Sequence, residues 1–108
     1  MADALTPAVF HVLLALAGGR LHGYAISKEI QRQTDGRVRM GPGTLYGTLQ
    51  RLLDAGWVEA SEGPAGVDER RRYYRLTGLG RRALQAEVQR MDALVRAARM
   101  KLPKPRGV

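Results

Sequence analysis

Apolar residues recur along this chain in blocks whose spacing changes from helical to alternating and back to helical. The first block, Val9, Phe10, Val12, Leu13, Leu14 and Leu16, leaves almost no polar face and predicts a short helix buried on most sides. Thr6 supplies a cap, Pro7 suits the first helical position, and Gly18 and Gly19 end the helix. A second helix is expected from about His22 to Gln33, with Tyr24, Ile26 and Ile30 inward and Lys28, Glu29 and Arg32 outward; it stops near Asp35 and Gly36. The third starts at Pro42 and stops at Gly56. At about 100° per residue, Leu45, Leu49, Leu52 and Leu53 share one side of it, opposite Gly43, Thr44, Gly47, Gln50, Arg51 and Asp54. Tyr46 and Thr48 flank the boundary.

The period then falls to two. Trp57 to Ser61 and Arg71 to Leu76 alternate and contain β-formers, and Gly63, Pro64 and Gly66 lie between them, predicting a hairpin with a long tip. Thr77 caps a last helix that reaches about Leu102, after which Pro103 and Pro105 make the tail irregular. Along it Leu84, Val88, Met91, Val95, Ala98 and Leu102 recur at alternating spacings of four and three, a seam suited to a second copy of the chain. Glu87 and Lys101 lie equally far from Leu94 on one flank, so an antiparallel partner would pair them. The expected fold class is mainly α with a small β-hairpin, a winged helix-turn-helix followed by a long C-terminal dimerisation helix. Residues 1–76 would form the DNA-binding domain, 77–102 the dimerisation helix and 103–108 an irregular tail.

At 108 residues with 44% apolar content the chain fits one domain with a modest core. The net charge of +8 favours a polyanionic partner, and its placement sharpens this. Residues 70–108 hold 12 of the 18 Lys and Arg against only Glu87 and Asp92, which leaves the first 69 residues slightly acidic. Cysteine is absent, which excludes thiol nucleophiles, disulfides and Cys-ligated zinc and is compatible with a reducing compartment. The apolar run Ala8 to Ala17 is too short to span a bilayer and lacks the charge pattern of a secretion signal, so a soluble cytoplasmic protein is expected.

These patterns point to double-stranded DNA as partner. The outward face of the third helix offers Thr44, Tyr46, Thr48 and Gln50 as neutral hydrogen-bonding groups and Arg51 as one cation, while Gly43 and Gly47 let the backbone come close. Arg70, Arg71 and Arg72 adjoin Tyr73 where a wing would meet the neighbouring phosphates, although Asp68 and Glu69 sit beside them; Tyr24 completes the candidate contacts. Enzymatic chemistry has no support: His11 belongs to an apolar helix, His22 to a turn or phosphate contact, and neither has a ligand or carboxylate at catalytic spacing. No metal or cofactor is expected. Two rivals use the same charges, a winged-helix module binding an acidic protein, and a membrane-surface protein using Arg81, Arg82, Arg90, Arg96 and Arg99 around the apolar stripe. The second ranks last, because the stripe has heptad regularity and lacks interfacial aromatics.

Three blocks carry a family resemblance: LHGYAISKEI from Leu21, GPGTLYGTLQRLLDAGWV from Gly41 and RRYYRLTGLGRRAL from Arg71. Together they resemble the PadR family of transcriptional regulators over about residues 5 to 85. The resemblance implies a winged-helix homodimer, usually a repressor, whose helix bearing Pro42, Gly43, Thr44, Leu45 and Tyr46 reads DNA. It also implies that Tyr73 and Tyr74 belong to the second wing strand, that the C-terminal helix makes the dimer, and that a small aromatic or drug-like effector is possible. Gly41 stands where the family often has Ser as helix cap. Trp57 lies in the wing hairpin and not on the dimer helix, so an aromatic-lined pocket there is not suggested.

Overall fold

The computed structural model of the chain describes residues 4–66 and 71–104. Its elements are α1 (Pro7–Leu16), β1 (Leu21–His22), α2 (Gly23–Gln33), α3 (Pro42–Asp54), β2 (Val58–Ser61), β3 (Tyr73–Leu76) and α4 (Gly78–Lys101). The fold is therefore four helices and a three-stranded sheet with a long C-terminal helix, the winged helix-turn-helix plan expected from the pattern.

Local chemistry sets the helix starts. Thr6 accepts from the Val9 N–H at 3.2 Å and Pro7 follows it, while the Thr77 hydroxyl accepts from Gly80 N–H at 3.1 Å at the head of α4. Thr77 also donates to the Gly56 carbonyl at 2.6 Å, tying α4 to the turn that ends α3. Gly56 has φ +75°, a left-handed conformation that glycine adopts without a side-chain penalty, and it turns the chain from α3 into β2.

The core gathers around α1. Val12, Leu13 and Leu16 are almost completely buried against Ile26 and Ile30 of α2, Leu45, Leu49 and Leu52 of α3, Val58 of β2, and Tyr74. Burial of α1 is less complete than its composition predicts: Leu14 is exposed and Val9, Phe10 and His11 are half-buried. Sheet order is β1-β3-β2, all antiparallel, with Tyr74 opposite both Leu21 and Ala60. The pattern predicts two strands, but the described residues form three. Leu21 and His22, expected before and at the start of the second helix, instead pair with Tyr74 and Tyr73.

The base of α4 is part of this domain. Leu84, expected in the dimer seam, is a core residue at 6% exposure, because the first turns of α4 pack against α1 and β3. Glu87 is likewise buried in its own chain, where Arg90 grips it with two bonds of 2.7 and 2.8 Å and the Leu5 N–H donates to it at 3.2 Å. The carboxylate that could have paired with Lys101 of a second copy is thus already engaged within its own chain. Trp57 lines a cavity of about 450 Å³ with Ala83, Ala86 and Arg90 of α4, because the start of β2 runs beneath that helix. A cavity with one aromatic wall, Trp57, therefore lies beside α4 despite the position of Trp57 in the hairpin.

Candidate nucleic-acid interface

The third helix opens on Gly41, whose extended backbone makes no side-chain capping bond, followed by Pro42 at the first helical position. Its first-turn N–H groups have the orientation that suits an anion at a helix N-terminus. Gly43, Thr44, Tyr46, Gly47, Gln50 and Arg51 are exposed along one side, as the periodicity predicts. A Cβ at Gly43 or Gly47 would meet nothing within 4 Å, so internal packing does not require glycine at either position. Both positions leave bare backbone at the surface of α3, where glycine inside a helix costs about 1 kcal/mol relative to Ala.

Thr48 departs from the expected reading face. It is 5% exposed, and its hydroxyl donates to the Thr44 carbonyl one turn earlier at 2.8 Å. Thr48 thus supports the face from beneath, satisfying its hydroxyl on its own helix. Gln50 is exposed but donates to Asp54 at 2.9 Å, so reading a base would require it to exchange that partner.

The wing side is built on β3. Tyr73, expected at the surface, is 7% exposed: its ring packs over Gly63, where a Cβ would lie 2.5 Å from Cε1, and meets the His22 ring edge-on at 5.3 Å. Tyr73 is therefore a packing residue. Arg71 and Arg72 are exposed just before the strand, while Arg75 is held by Glu59 across the ladder at 2.7 Å. Burial raises the Tyr74 phenol above its ordinary value, and the charge and hydrogen bond of Arg72 partly offset this. Arg70, Asp68 and Glu69 lie outside the described residues.

Tyr46 and the head of α2 join these pieces into one surface. A Cβ on Gly23 would lie 2.9 Å from Tyr46 Cζ, so the Tyr46 ring crosses directly over the first turn of α2. Tyr24, expected inward as well as at DNA, is 57% exposed; it stacks on His22 at 6.4 Å and carries Lys28 Nζ 5.2 Å from its ring centre. His22 caps α2, its Nδ1 accepting from Ala25 N–H at 3.2 Å, and its Nε2 lies 3.1 Å from Arg71. Lys28, read as outward-facing, thus belongs to the surface, whereas Gly23 is buried beneath the Tyr46 ring; the sequence did not single out Gly23, and the signal was the Gly beside an aromatic at a helix head. Described residues contain no cluster of metal-ligating side chains, and none of their helices is long and apolar enough to cross a membrane.

Known proteins place this architecture. The family model described as "Transcriptional regulator PadR-like family" matches residues 12–86. The transcriptional regulator Rv3488 of Mycobacterium tuberculosis is 36% identical over 86 residues, covering 80% of this chain and 77% of that protein. An uncharacterised 37.1 kDa protein in transposon TN4556 of Streptomyces fradiae is 45% identical over 85 residues; these are 77% of this chain but only 22% of that longer protein. Among solved structures, a transcriptional regulator from Clostridium thermocellum superposes with a TM-score of 0.71 at 29% identity, covering 90% of each chain. Bacillus subtilis PadR, solved in complex with operator DNA, shares the fold with a TM-score of 0.61 at 24% identity, covering 93% of this chain and 51% of that one. The matched family is one of transcriptional regulators and not of enzymes. With most of its length inside the family model and a regulator of similar size as a relative, the chain belongs to the PadR-like family of transcriptional regulators.

Proposed function

We propose that this chain is a sequence-specific, DNA-binding regulator that acts in the cytoplasm as a homodimeric repressor on an inverted-repeat operator. The observation that carries this reading is the continuous exposed surface from Gly43, Thr44, Tyr46 and Gly47 to Tyr24 and on to Arg71 and Arg72. Each subunit places α3 in a major groove and its wing beside it, so that α3 discriminates among sequences and the arginines bind backbone phosphate. Gln50 and Arg51 extend the reading face, and Arg70 would add to the wing.

Two-fold symmetry comes from α4, where Val88, Met91, Val95 and Leu102 remain exposed with Ala98 between them. Half-sites about 34 Å apart, one turn of the duplex, fit such a dimer. A small aromatic or drug-like effector releasing the operator belongs to the same reading, and the cavity beside Trp57 at the root of α4 is a place where binding would reach the dimer helix. The test is fluorescence titration of the purified protein with DNA from upstream of its own coding region against a scrambled duplex. Selective binding to an inverted repeat is expected, with release by a panel of small aromatics testing the effector. Absence of sequence preference at physiological salt would reject this function in favour of a protein-interaction module.

A further inference from the structure

His22 faces two hydrogen-bond donors with a single lone pair to offer. Its Nδ1 accepts from the Ala25 N–H at 3.2 Å, and its Nε2 lies 3.1 Å from Arg71 Nη1. A neutral imidazole has one acceptor nitrogen and one N–H. Because Nδ1 accepts at the helix cap, the proton sits on Nε2, and Nε2–H and the Arg71 guanidinium aim donors into the same space. Shifting the proton to Nδ1 would satisfy Arg71 but turn an N–H against the first amides of α2 and destroy the cap. Adding a second proton has the same fault and sets a cation beside Arg71; burial first, and then the Arg71 charge, hold the His22 pKa below its ordinary 6.5. Among the described residues nothing supplies the pair with an acceptor oxygen, and one from another molecule would complete it.

Its surroundings select an anion. His22 and Arg71 open onto a groove of about 690 Å³ along the head of α2, which Arg20, Lys28 and Arg32 also line. Glu29 is the carboxylate among the described residues of that lining, and Arg32 holds it with two bonds of 2.6 Å, which compensates its charge. His22 immediately precedes Gly23, over which Tyr46 of α3 lies, so the donors stand at the margin of the reading face.

We propose that His22 Nε2–H and the Arg71 guanidinium together form a seat for one backbone phosphate of double-stranded DNA, on the wing side of α3. The seat rests on the DNA-binding reading above and adds to it a neutral histidine acting as an obligatory donor. A phosphate presents separate oxygens to the two groups, whereas the donors have nothing to bond to each other. Such a contact positions the duplex without reading bases, so it weakens or strengthens all sequences alike.

The test uses the whole protein and a duplex of arbitrary sequence at low salt, where phosphate contacts dominate. His22→Asp keeps an N-cap acceptor, so α2 should remain folded, but its carboxylate engages Arg71 and repels phosphate. Its affinity should fall about tenfold or more for arbitrary and operator duplexes alike. Arg71→Ala should lower the slope of log affinity against log salt by about 0.9. Imidazole nitrogen shifts measured by NMR on the wild-type protein should show the Nε2–H form, with that resonance moving on addition of duplex. This measurement stands even where His22→Asp fails to fold.

A folded His22→Asp variant that binds as tightly as wild type, or an Nδ1–H tautomer in the free protein, would overturn the seat alone. A response to inorganic phosphate that duplex does not reproduce would assign the seat to a free anion and overturn it too. A wild-type protein without affinity for any duplex would overturn both the seat and the regulator function.

Discussion

Gly23 and Gly80 both lack room for a Cβ, yet replacing them should have different consequences. The obstacle at Gly23 is the end of the half-exposed Tyr46 side chain, which can rotate away. At Gly80 it is the Trp57 backbone, with the added carbon 2.8 Å from the carbonyl carbon, and that backbone is fixed by its N–H donating to Leu52 at 3.0 Å and its carbonyl accepting from Thr77 N–H at 3.1 Å. Gly23→Ala should therefore unfold near the wild-type urea midpoint, while its affinity for DNA falls severalfold because Tyr46 leaves the reading face. Gly80→Ala should lose about 1–3 kcal/mol of stability from overpacking. Urea titration alongside DNA binding separates the two, and wild-type affinity in Gly23→Ala would remove Tyr46 from the interface. Single residues were also where the sequence was least legible. Thr48 sits on the boundary of the helical wheel, and only its burial in the folded chain, with the hydroxyl satisfied on the Thr44 carbonyl, reveals that it points inward. Tyr73 and Tyr74 are adjacent and so point to opposite faces of the central strand; Tyr74 joins the core, while Tyr73 on the other face is buried by packing over Gly63 and against His22.

At the scale of elements, the helix positions and the sides they bury were readable, because apolar period, Thr caps and Pro or Gly boundaries agree with one another. The two-residue strand β1 was not, since Leu21 and His22 are too few to show alternation and His22 doubles as the cap of α2. The division of labour along α4 was hidden for a different reason. Gly80, Leu84 and Glu87 face the domain at spacings of four and three, and the exposed seam continues with the same period from Val88. Periodicity cannot mark where one neighbour gives way to another. Glu87 makes the boundary testable through pH. The hydrogen bond from Arg90 chiefly, helped by that from Leu5 N–H, holds its carboxyl below the ordinary 4.5 despite the opposing effect of burial. A depressed folded-state pKa adds stability that is fully present above about pH 4.5 and is lost as pH falls through the lower folded value. Glu87→Gln should thus be less stable than wild type near neutral pH, with the gap narrowing under acid. A gap independent of pH in urea melts would show that the Arg90 and Leu5 contacts hold no charge in place.

For the molecule as a whole, the proposed dimer accounts for the shape. Extents of 53 × 35 × 25 Å reflect a 24-residue α4 whose described residues beyond Glu87 are all exposed, although Val88, Met91, Leu94, Val95 and Leu102 are large and apolar. A contiguous apolar stripe of this length is what an interface between subunits leaves uncovered in one chain. The seam should be separable from the fold, because Leu84 and Glu87 anchor α4 before it begins. Val95→Glu places a charge in the middle of the stripe at a position 46% exposed in the single chain, so it should leave the winged domain's helical content and core packing intact. Sedimentation should then report monomers. Loss of the second reading head removes the gain from simultaneous engagement, so affinity for a two-half-site operator should fall on the order of a hundredfold, whereas binding to one isolated half-site should barely change. The paired measurement distinguishes a broken dimer from a damaged reading surface, which would weaken both sites equally. A Val95→Glu protein that still sediments as a dimer would move the interface off this seam, leaving the stripe's exposure to be explained by another partner.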